Sequence, residues 1–97
     1  MTDRIRIDKW LWHARFYRSR VLAQGAAVSG LIRLNGARVE KASAGVQPGD
    51  VLTVPRGREV LVVRIEALAE RRGGAPEARK LYSIVSGSVL DPAAAPS

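Results

Sequence analysis

The sequence predicts an α+β fold in which two N-terminal helices pack on a small, mostly antiparallel sheet, with a short C-terminal extension. In residues 8–29 the apolar side chains recur every three or four positions, which is typical of helices. After Gly30 they occur in short alternating runs separated by turn residues, which is typical of strands. With 97 residues and 46% hydrophobic content, the chain can build one modest core. We expect one domain over residues 1–88 and a disordered, Pro- and Ala-rich tail over residues 89–97.

The first helix is predicted over residues 8–17, after a charged lead-in. Asp8 is a residue type that caps helix N-termini, and it places an acid near the positive end of the helix dipole. The predicted buried stripe of this helix consists of Trp10, Leu11, Ala14 and Tyr17.

The second helix is predicted over residues 20–29, with Ser19 as its N-cap. Gly30 is well placed to end this helix in a left-handed conformation. The positions expected to face inward are Leu22, Ala23, Ala26 and Ala27.

The sheet is predicted to begin with a hairpin at Asn35-Gly36, because both central residues of the tightest hairpin turn need a positive φ. This turn joins residues 31–34 to residues 37–39. A loop over residues 41–47 and a second turn at Pro48-Gly49-Asp50 follow.

Three further strands complete the predicted sheet. A short strand over residues 51–54 and a turn over residues 55–58 lead to the longest strand, over residues 59–67. The expected buried face of that strand carries Leu61, Val63, Ile65 and Ala67. After a polar loop, residues 77–85 are predicted as one helical turn followed by the last strand.

Positive charge is concentrated in the first 41 residues. They hold nine basic and three acidic residues, and so six of the seven net positive charges, whereas the other 56 residues hold seven basic and six acidic ones. The excess is mainly Arg, whose planar guanidinium pairs with phosphate through two parallel hydrogen bonds. This distribution predicts a surface that binds a polyanion.

The composition also excludes several classes of protein. Without Cys the chain has no disulfide, thiolate metal site or thiol nucleophile, which fits a reducing cytoplasm. No stretch resembles a signal peptide, and the longest strongly apolar run, residues 60–63, is far too short to cross a bilayer. Since no residues have the spacing of a catalytic triad, a metal site or a phosphate loop, we expect neither enzymatic activity nor a cofactor.

Five fragments, in this order and spacing, carry a family resemblance. They are Arg6-Ile7-Asp8-Lys9-Trp10-Leu11, Ser19-Arg20-Val21-Leu22-Ala23-Gln24, Gly30-Leu31-Ile32-Arg33-Leu34-Asn35-Gly36, Lys41-Ala42-Ser43 and Val46-Gln47-Pro48-Gly49-Asp50-Val51-Leu52. Together they resemble the S-four RNA-binding domain, named for a ribosomal small-subunit protein, over about residues 4–54. The resemblance implies the αL RNA-binding motif, built from two helices and a hairpin.

Two small families of stand-alone members are similar to the whole chain. Trp10-Leu11-Trp12 followed by Arg15-Phe16-Tyr17 resembles the heat shock protein fifteen family. The C-terminal half, with Glu77-Ala78 leading to Leu81-Tyr82, resembles the ribosome-associated quality-control protein P family. The long basic C-terminal extension of the former has no counterpart in this sequence, so its contacts are not carried over.

The resemblance places the RNA-contacting face on the second helix. Arg20 and Gln24 are four residues apart and share a helix face, while Arg18 and Ser19 stand at the helix N-terminus, which attracts phosphate. The hairpin turn and Lys41 match family positions that border this face, and the first helix extends it. The predicted RNA-binding residues are Arg6, Lys9, Arg15, Arg18, Ser19, Arg20, Gln24, Asn35, Gly36 and Lys41.

Several residues have a plain structural interpretation beside the functional one. We expect Asp8 to cap a helix and orient a nearby Arg rather than catalyse, and Asn35-Gly36 to be a turn first. Trp12 and Phe16 either stack on bases or pack as a second core against the sheet. The lone His13 is expected at the surface or in a hydrogen bond. Four arginines are expected to be solvated turn charges, with a secondary RNA contact as the alternative: Arg56, Arg58, Arg71 and Arg72.

The resemblance implies a non-enzymatic, cytoplasmic RNA-binding protein that acts on the large ribosomal subunit. Its expected partners are ribosomal RNA and, as a second candidate, peptidyl-tRNA held on obstructed subunits; we expect a monomer. Two alternatives stay open. One is a generic RNA-binding stress or ribosome-assembly factor, and the other is an accessory to an RNA-modifying enzyme.

Overall fold

The computed structural model describes residues 4–56 and 58–89, with the backbone alone for residues 56 and 86–89. Its helices are α1 (Ile7–His13), α2 (Arg20–Val28) and α3 (Ala75–Arg79). Its strands are β1 (Ile5–Arg6), β2 (Arg33–Leu34), β3 (Ala37–Arg38), β4 (Gly45–Val46), β5 (Val51–Arg56), β6 (Glu59–Ile65) and β7 (Tyr82–Val89). Within those ranges, no helix is long and apolar enough to cross a membrane. The predicted α+β class is confirmed.

Helix α1 begins earlier and ends earlier than predicted. Strand β1 pairs with β4, so the chain is extended up to Arg6, and the Ile7 N–H donates to the Ala44 carbonyl at 2.7 Å. The backbone of Arg6 therefore occupies the N-cap position, and the prediction of Asp8 as N-cap is wrong. The helix stops at His13, and Arg15 then adopts a left-handed φ of 62°. The predicted loop over residues 41–47 contains β4.

Helix α2 has the predicted N-cap. The Ser19 hydroxyl oxygen accepts a hydrogen bond from the Leu22 N–H at 3.1 Å, and Gly30 follows the helix with φ 88°. The helix buries Ala23 and Ala27 completely, but Leu22 is 47% exposed. The prediction that Leu22 faces inward is wrong, because only the narrow Ala side chains lie in the buried seam of this helix.

The larger sheet is antiparallel with the order β3-β2-β5-β6-β7. The predicted hairpin turn is present, with φ 51° at Asn35 and 86° at Gly36. Strand β5 continues through Pro55, which pairs with Val60, so the predicted turn over residues 55–58 is shorter than expected. Helix α3 precedes β7, which agrees with the predicted helical turn before the last strand. The predicted tail over residues 89–97 lies outside the described residues except for Val89, which ends β7.

The core lies between α1 and the sheet. Trp10 is fully buried and its indole N–H donates to the Ala67 carbonyl at 3.1 Å. Phe16 stacks on Trp10 with centroids 6.0 Å apart, and Tyr82 lies 4.9 Å from Phe16. Trp12 and Phe16 are partly buried against the core, which favours the packing interpretation of both rings. The fully buried residues Leu52, Val54, Val63 and Ile65 form the sheet side of this core.

Candidate nucleic-acid interface

A buried carboxylate holds one arginine in place at the start of α1. Arg6 donates from Nε and NH2 to the two oxygens of Asp8, at 3.1 and 2.9 Å. Asp8 is fully buried, whereas 46% of the Arg6 side chain is exposed. The Lys9 N–H also donates to Asp8, at 2.7 Å. Asp8 therefore orients Arg6, as expected, while the N-cap role belongs to another residue.

Both members of this ion pair are charged at neutral pH. Burial acts to raise the pKa of Asp8, but the hydrogen bonds from Arg6 and Lys9 and the charges of Arg6 and Arg20 hold it below its usual value. The hydrogen bond and the charge of Asp8 raise the pKa of Arg6. Since two guanidinium groups surround one carboxylate, positive charge remains at this surface.

Arg20 is the second arginine near Asp8. Its position is the first residue of α2, and its side chain is half-buried. The Nε atom of Arg20 is buried and has no hydrogen-bond partner among the described residues. Gln24, also half-buried, follows one turn later on the same helix face. A buried donor that the protein leaves unpaired is unusual. Because Nε has no exposed surface, a ligand would meet the exposed part of the half-buried Arg20 side chain instead.

The other four predicted residues at or near α2 and the hairpin either have structural partners or are exposed. The Ser19 hydroxyl caps α2. The Asn35 side chain accepts from the Val51 N–H at 2.9 Å and donates to Asp50 at 3.2 Å, which supports its interpretation as a turn residue. Gly36 and Lys41 are exposed.

Arg15 and Arg18 line a cleft that Arg20 does not line. Both line this cleft together with Arg72 and Arg79 from the C-terminal half. The Nε of Arg15 donates to the Gly73 carbonyl at 2.9 Å. Of the predicted RNA-binding residues, Arg15 and Arg18 thus line this cleft, whereas Arg6, Lys9 and Arg20 do not.

For His13 the structure decides between the two expected environments, and for Arg72 it corrects the expectation. His13 is 1% exposed, so it is the hydrogen-bonding alternative that holds and not the surface one. Burial lowers the pKa of His13, and the charges of Lys9, Arg20 and Arg72 lower it further. A hydrogen bond with the Ala69 backbone acts in the opposite sense but is outweighed, so the imidazole is neutral. Arg72 is not a solvated turn charge, because its Nε donates to the Trp12 carbonyl at 3.0 Å and its guanidinium lies 5.6 Å from the Trp12 ring.

Sequence reasoning missed Arg72 and Arg79 as cleft residues. Arg72 meets backbone carbonyls, which every residue offers, so no side-chain pattern in the sequence predicts its partners. The one available signal was the basic pair at residues 71–72 before a Gly-containing loop, which has many other interpretations.

Comparison with known proteins identifies the family. The S4 domain model matches residues 5–52. A heat shock protein 15 homolog from Haemophilus influenzae is 42% identical over 85 residues, which cover 88% of this chain and 64% of the relative. The chain thus spans less than two thirds of that relative. The RQC P-site tRNA stabilizing factor of Bacillus subtilis is 37% identical over 86 residues, which cover 89% of this chain and 98% of the relative.

A solved structure agrees with these relatives. The structure described as trimeric Vibrio cholerae Heat Shock Protein 15 superposes with a TM-score of 0.80 at 38% identity, and covers 86% of this chain and 83% of that one. The fold, the ordered fragments and the relatives lead to the same conclusion: this chain belongs to the S4 domain family.

Proposed function

We propose that this protein binds ribosomal RNA on the large ribosomal subunit and has no catalytic activity of its own. The binding surface is the α1–α2 surface, which we define as Arg6, Lys9, Arg20 and Gln24. The observation that carries the proposal is that two arginines flank the buried Asp8: Arg6, which Asp8 orients, and the half-buried Arg20, whose Nε has no hydrogen-bond partner among the described residues. An oriented guanidinium loses less conformational freedom on binding, so it suits a fixed array of phosphates.

The chemistry of this surface fits folded RNA. The major groove of an RNA helix is too deep and narrow for side chains to read, so proteins bind its phosphates, 2′-hydroxyls and unpaired bases. Arginine donates two hydrogen bonds to one phosphate, and Gln24 can donate to or accept from a ribose hydroxyl. Asn35, Gly36 and Lys41 are proposed to border the bound RNA.

The finer proposal is a role in the rescue or quality control of obstructed large subunits that carry peptidyl-tRNA. It is supported by the name of the B. subtilis relative, a P-site tRNA stabilizing factor of which this chain spans 98%. Such a role places the protein in the cytoplasm. We propose a monomer; the V. cholerae relative is described as trimeric, so sedimentation equilibrium of this chain is the deciding measurement.

Replacement of Arg20 tests the surface. Arg20→Ala should weaken binding to large-subunit RNA about tenfold or more, because a hydrogen bond to a charged group is lost, while the fold survives. Arg64→Ala is the matched control, since Arg64 is an exposed arginine on β6. If Arg20→Ala and Arg64→Ala bind as tightly as the parent, the proposed surface is wrong.

Sucrose-gradient sedimentation tests the ribosomal address. The protein should migrate with large subunits, above all with those that retain tRNA, and should leave them as the salt concentration rises. If it spreads over all RNA-containing fractions, it is a generic RNA-binding factor. New modified bases in ribosomal RNA after incubation with the pure protein would contradict a non-enzymatic role.

A further inference from the structure

A second basic site lies between the S4-domain half and the C-terminal half. It is a cleft of about 340 Å³, at the small end of the roughly 300–1,000 Å³ typical of ligand pockets. Arg15 and Arg18, from the segment between α1 and α2, line one side, and Arg72 and Arg79 line the other. Among the described residues no carboxylate lines this cleft, and its remaining wall includes the rings of Phe16 and Tyr82.

Hydrogen bonds to backbone carbonyls hold two of the four arginines in place. Arg15 leaves α1 in a left-handed conformation, φ 62°, and its Nε donates to the Gly73 carbonyl at 2.9 Å. Arg72, on the other side of the cleft, likewise donates from its Nε to the Trp12 carbonyl, at 3.0 Å. Each guanidinium has five donors, so most of the N–H groups at their outer ends stay available to a ligand.

The other two arginines are exposed and have no hydrogen-bond or ion-pair partner within residues 4–56 and 58–89. These are Arg18, before α2, and Arg79, the last residue of α3. Two acids of the C-terminal half, Glu70 and Glu77, line a neighbouring cavity beside His13. Four like charges around one cleft repel one another, and an anion in the cleft relieves that repulsion.

We propose that this arginine cleft binds the phosphate group of a single-stranded RNA nucleotide, with Phe16 and Tyr82 as the wall for its sugar or base. The guanidinium groups suit phosphate because their planar forks match its oxygens, and aromatic rings accept any base by stacking. Because the cleft is concave, it fits a nucleotide that projects from the RNA better than it fits the side of a duplex. The assignment of RNA as the source of the phosphate rests on the proposed function.

Titration with a short 5′-phosphorylated oligouridylate tests the cleft. The backbone amide NMR signals of Arg18 and Arg79 should shift, and Arg79→Ala should weaken the affinity about tenfold. Lys80→Ala is the matched control, because it removes the same charge from a neighbouring exposed residue that lines neither cavity, and it should weaken the affinity less than about twofold. The Arg79→Ala variant should unfold at the parental temperature, since Arg79 is exposed.

The outcomes separate this site from the α1–α2 surface. Equal affinities for Arg79→Ala and Lys80→Ala, with a loss only in Arg20→Ala, would overturn the cleft and leave the proposed function intact. If the cleft variant loses oligouridylate binding but the parent protein never sediments with ribosomal subunits, the proposed function fails and the cleft stands. Uridine monophosphate that binds as tightly as the oligouridylate would overturn RNA as the source of the phosphate.

Discussion

Replacing Asp8 with Asn keeps the shape of a fully buried side chain and removes its charge. Asp8 accepts three hydrogen bonds, two from Arg6 at 3.1 and 2.9 Å and one from the Lys9 N–H at 2.7 Å. In Asp8→Asn the amide oxygen, in place of Oδ1, can still accept from the Lys9 N–H and the Nε of Arg6, but the amide nitrogen faces the NH2 group of Arg6. The bidentate contact between residues 6 and 8 is therefore lost.

The structure sets the size of the effect. A hydrogen bond to a charged group stabilises a protein by roughly 1.5–3 kcal/mol. Because Arg6 is half-exposed, its guanidinium can turn into water when the carboxylate is gone, so the loss lies near the lower end. We expect Asp8→Asn to lower the free energy of unfolding by about 2 kcal/mol, or the melting temperature by about 10 °C in a domain of this size.

Circular dichroism on heating measures this loss, and Glu40→Gln is the control. Glu40 is exposed and has no hydrogen-bond or ion-pair partner in the part of the chain that the structure describes. Its replacement removes the same charge and should leave the melting temperature within about 2 °C of the parent. Equal melting temperatures for the parent and Asp8→Asn would refute a stabilising role of the carboxylate.

RNA affinity separates orientation from simple electrostatics. Both Asp8→Asn and Glu40→Gln make the protein more positive, so charge alone predicts tighter binding to RNA in each case. If Asp8 acts by orienting Arg6, Asp8→Asn should bind RNA more weakly than the parent, whereas Glu40→Gln binds equally or more tightly. Tighter binding by Asp8→Asn would show that the orientation of Arg6 has no value for recognition.

Three further predictions follow from the geometry. Denaturant titrations should show that stability falls as the pH drops below 6.5, because protonation of His13 is favoured in the unfolded chain over the buried, neutral imidazole. Stability should fall again below 3.8, where protonation removes the charge of Asp8. His13→Asn should flatten the first step and Asp8→Asn the second. Gly30→Ala should cost about 1–2 kcal/mol, because φ is 88° and a Cβ would lie 2.5 Å from a guanidinium, whereas Gly25→Ala, on an open helix face, should stabilise by about 1 kcal/mol. Ser19→Ala should lower the stability by about 1 kcal/mol in the same measurement through loss of the α2 cap.

Features that depend on local chemistry could be predicted from the sequence. The Asn35-Gly36 turn and the Ser19 cap follow from backbone preferences that act over a few residues, and both are present. The pairing of β1 with β4 could not be predicted, since each strand has two residues and the partners lie about 40 positions apart. That pairing decides where α1 begins. Asp8 therefore lies in the buried first turn of the helix and not at the predicted N-cap position.

The candidate site could be predicted in part for the same reason. Basic residues on two adjacent helices are visible in the sequence, and the family resemblance singled out the face with Arg20 and Gln24. The side-chain hydrogen bonds of Arg15 and Arg72 depend on backbone carbonyls of distant segments. No side-chain pattern encodes such acceptors, so the separate arginine cleft emerged only from the structure.

A cryo-electron microscopy reconstruction of this protein bound to the large ribosomal subunit would show whether the α1–α2 surface contacts RNA. The guanidinium groups of Arg6 and Arg20 should lie within hydrogen-bonding distance of ribosomal RNA phosphates, with Asp8 still paired to Arg6. A complex in which α1 and α2 face solvent while another surface of the protein meets the RNA would contradict this prediction.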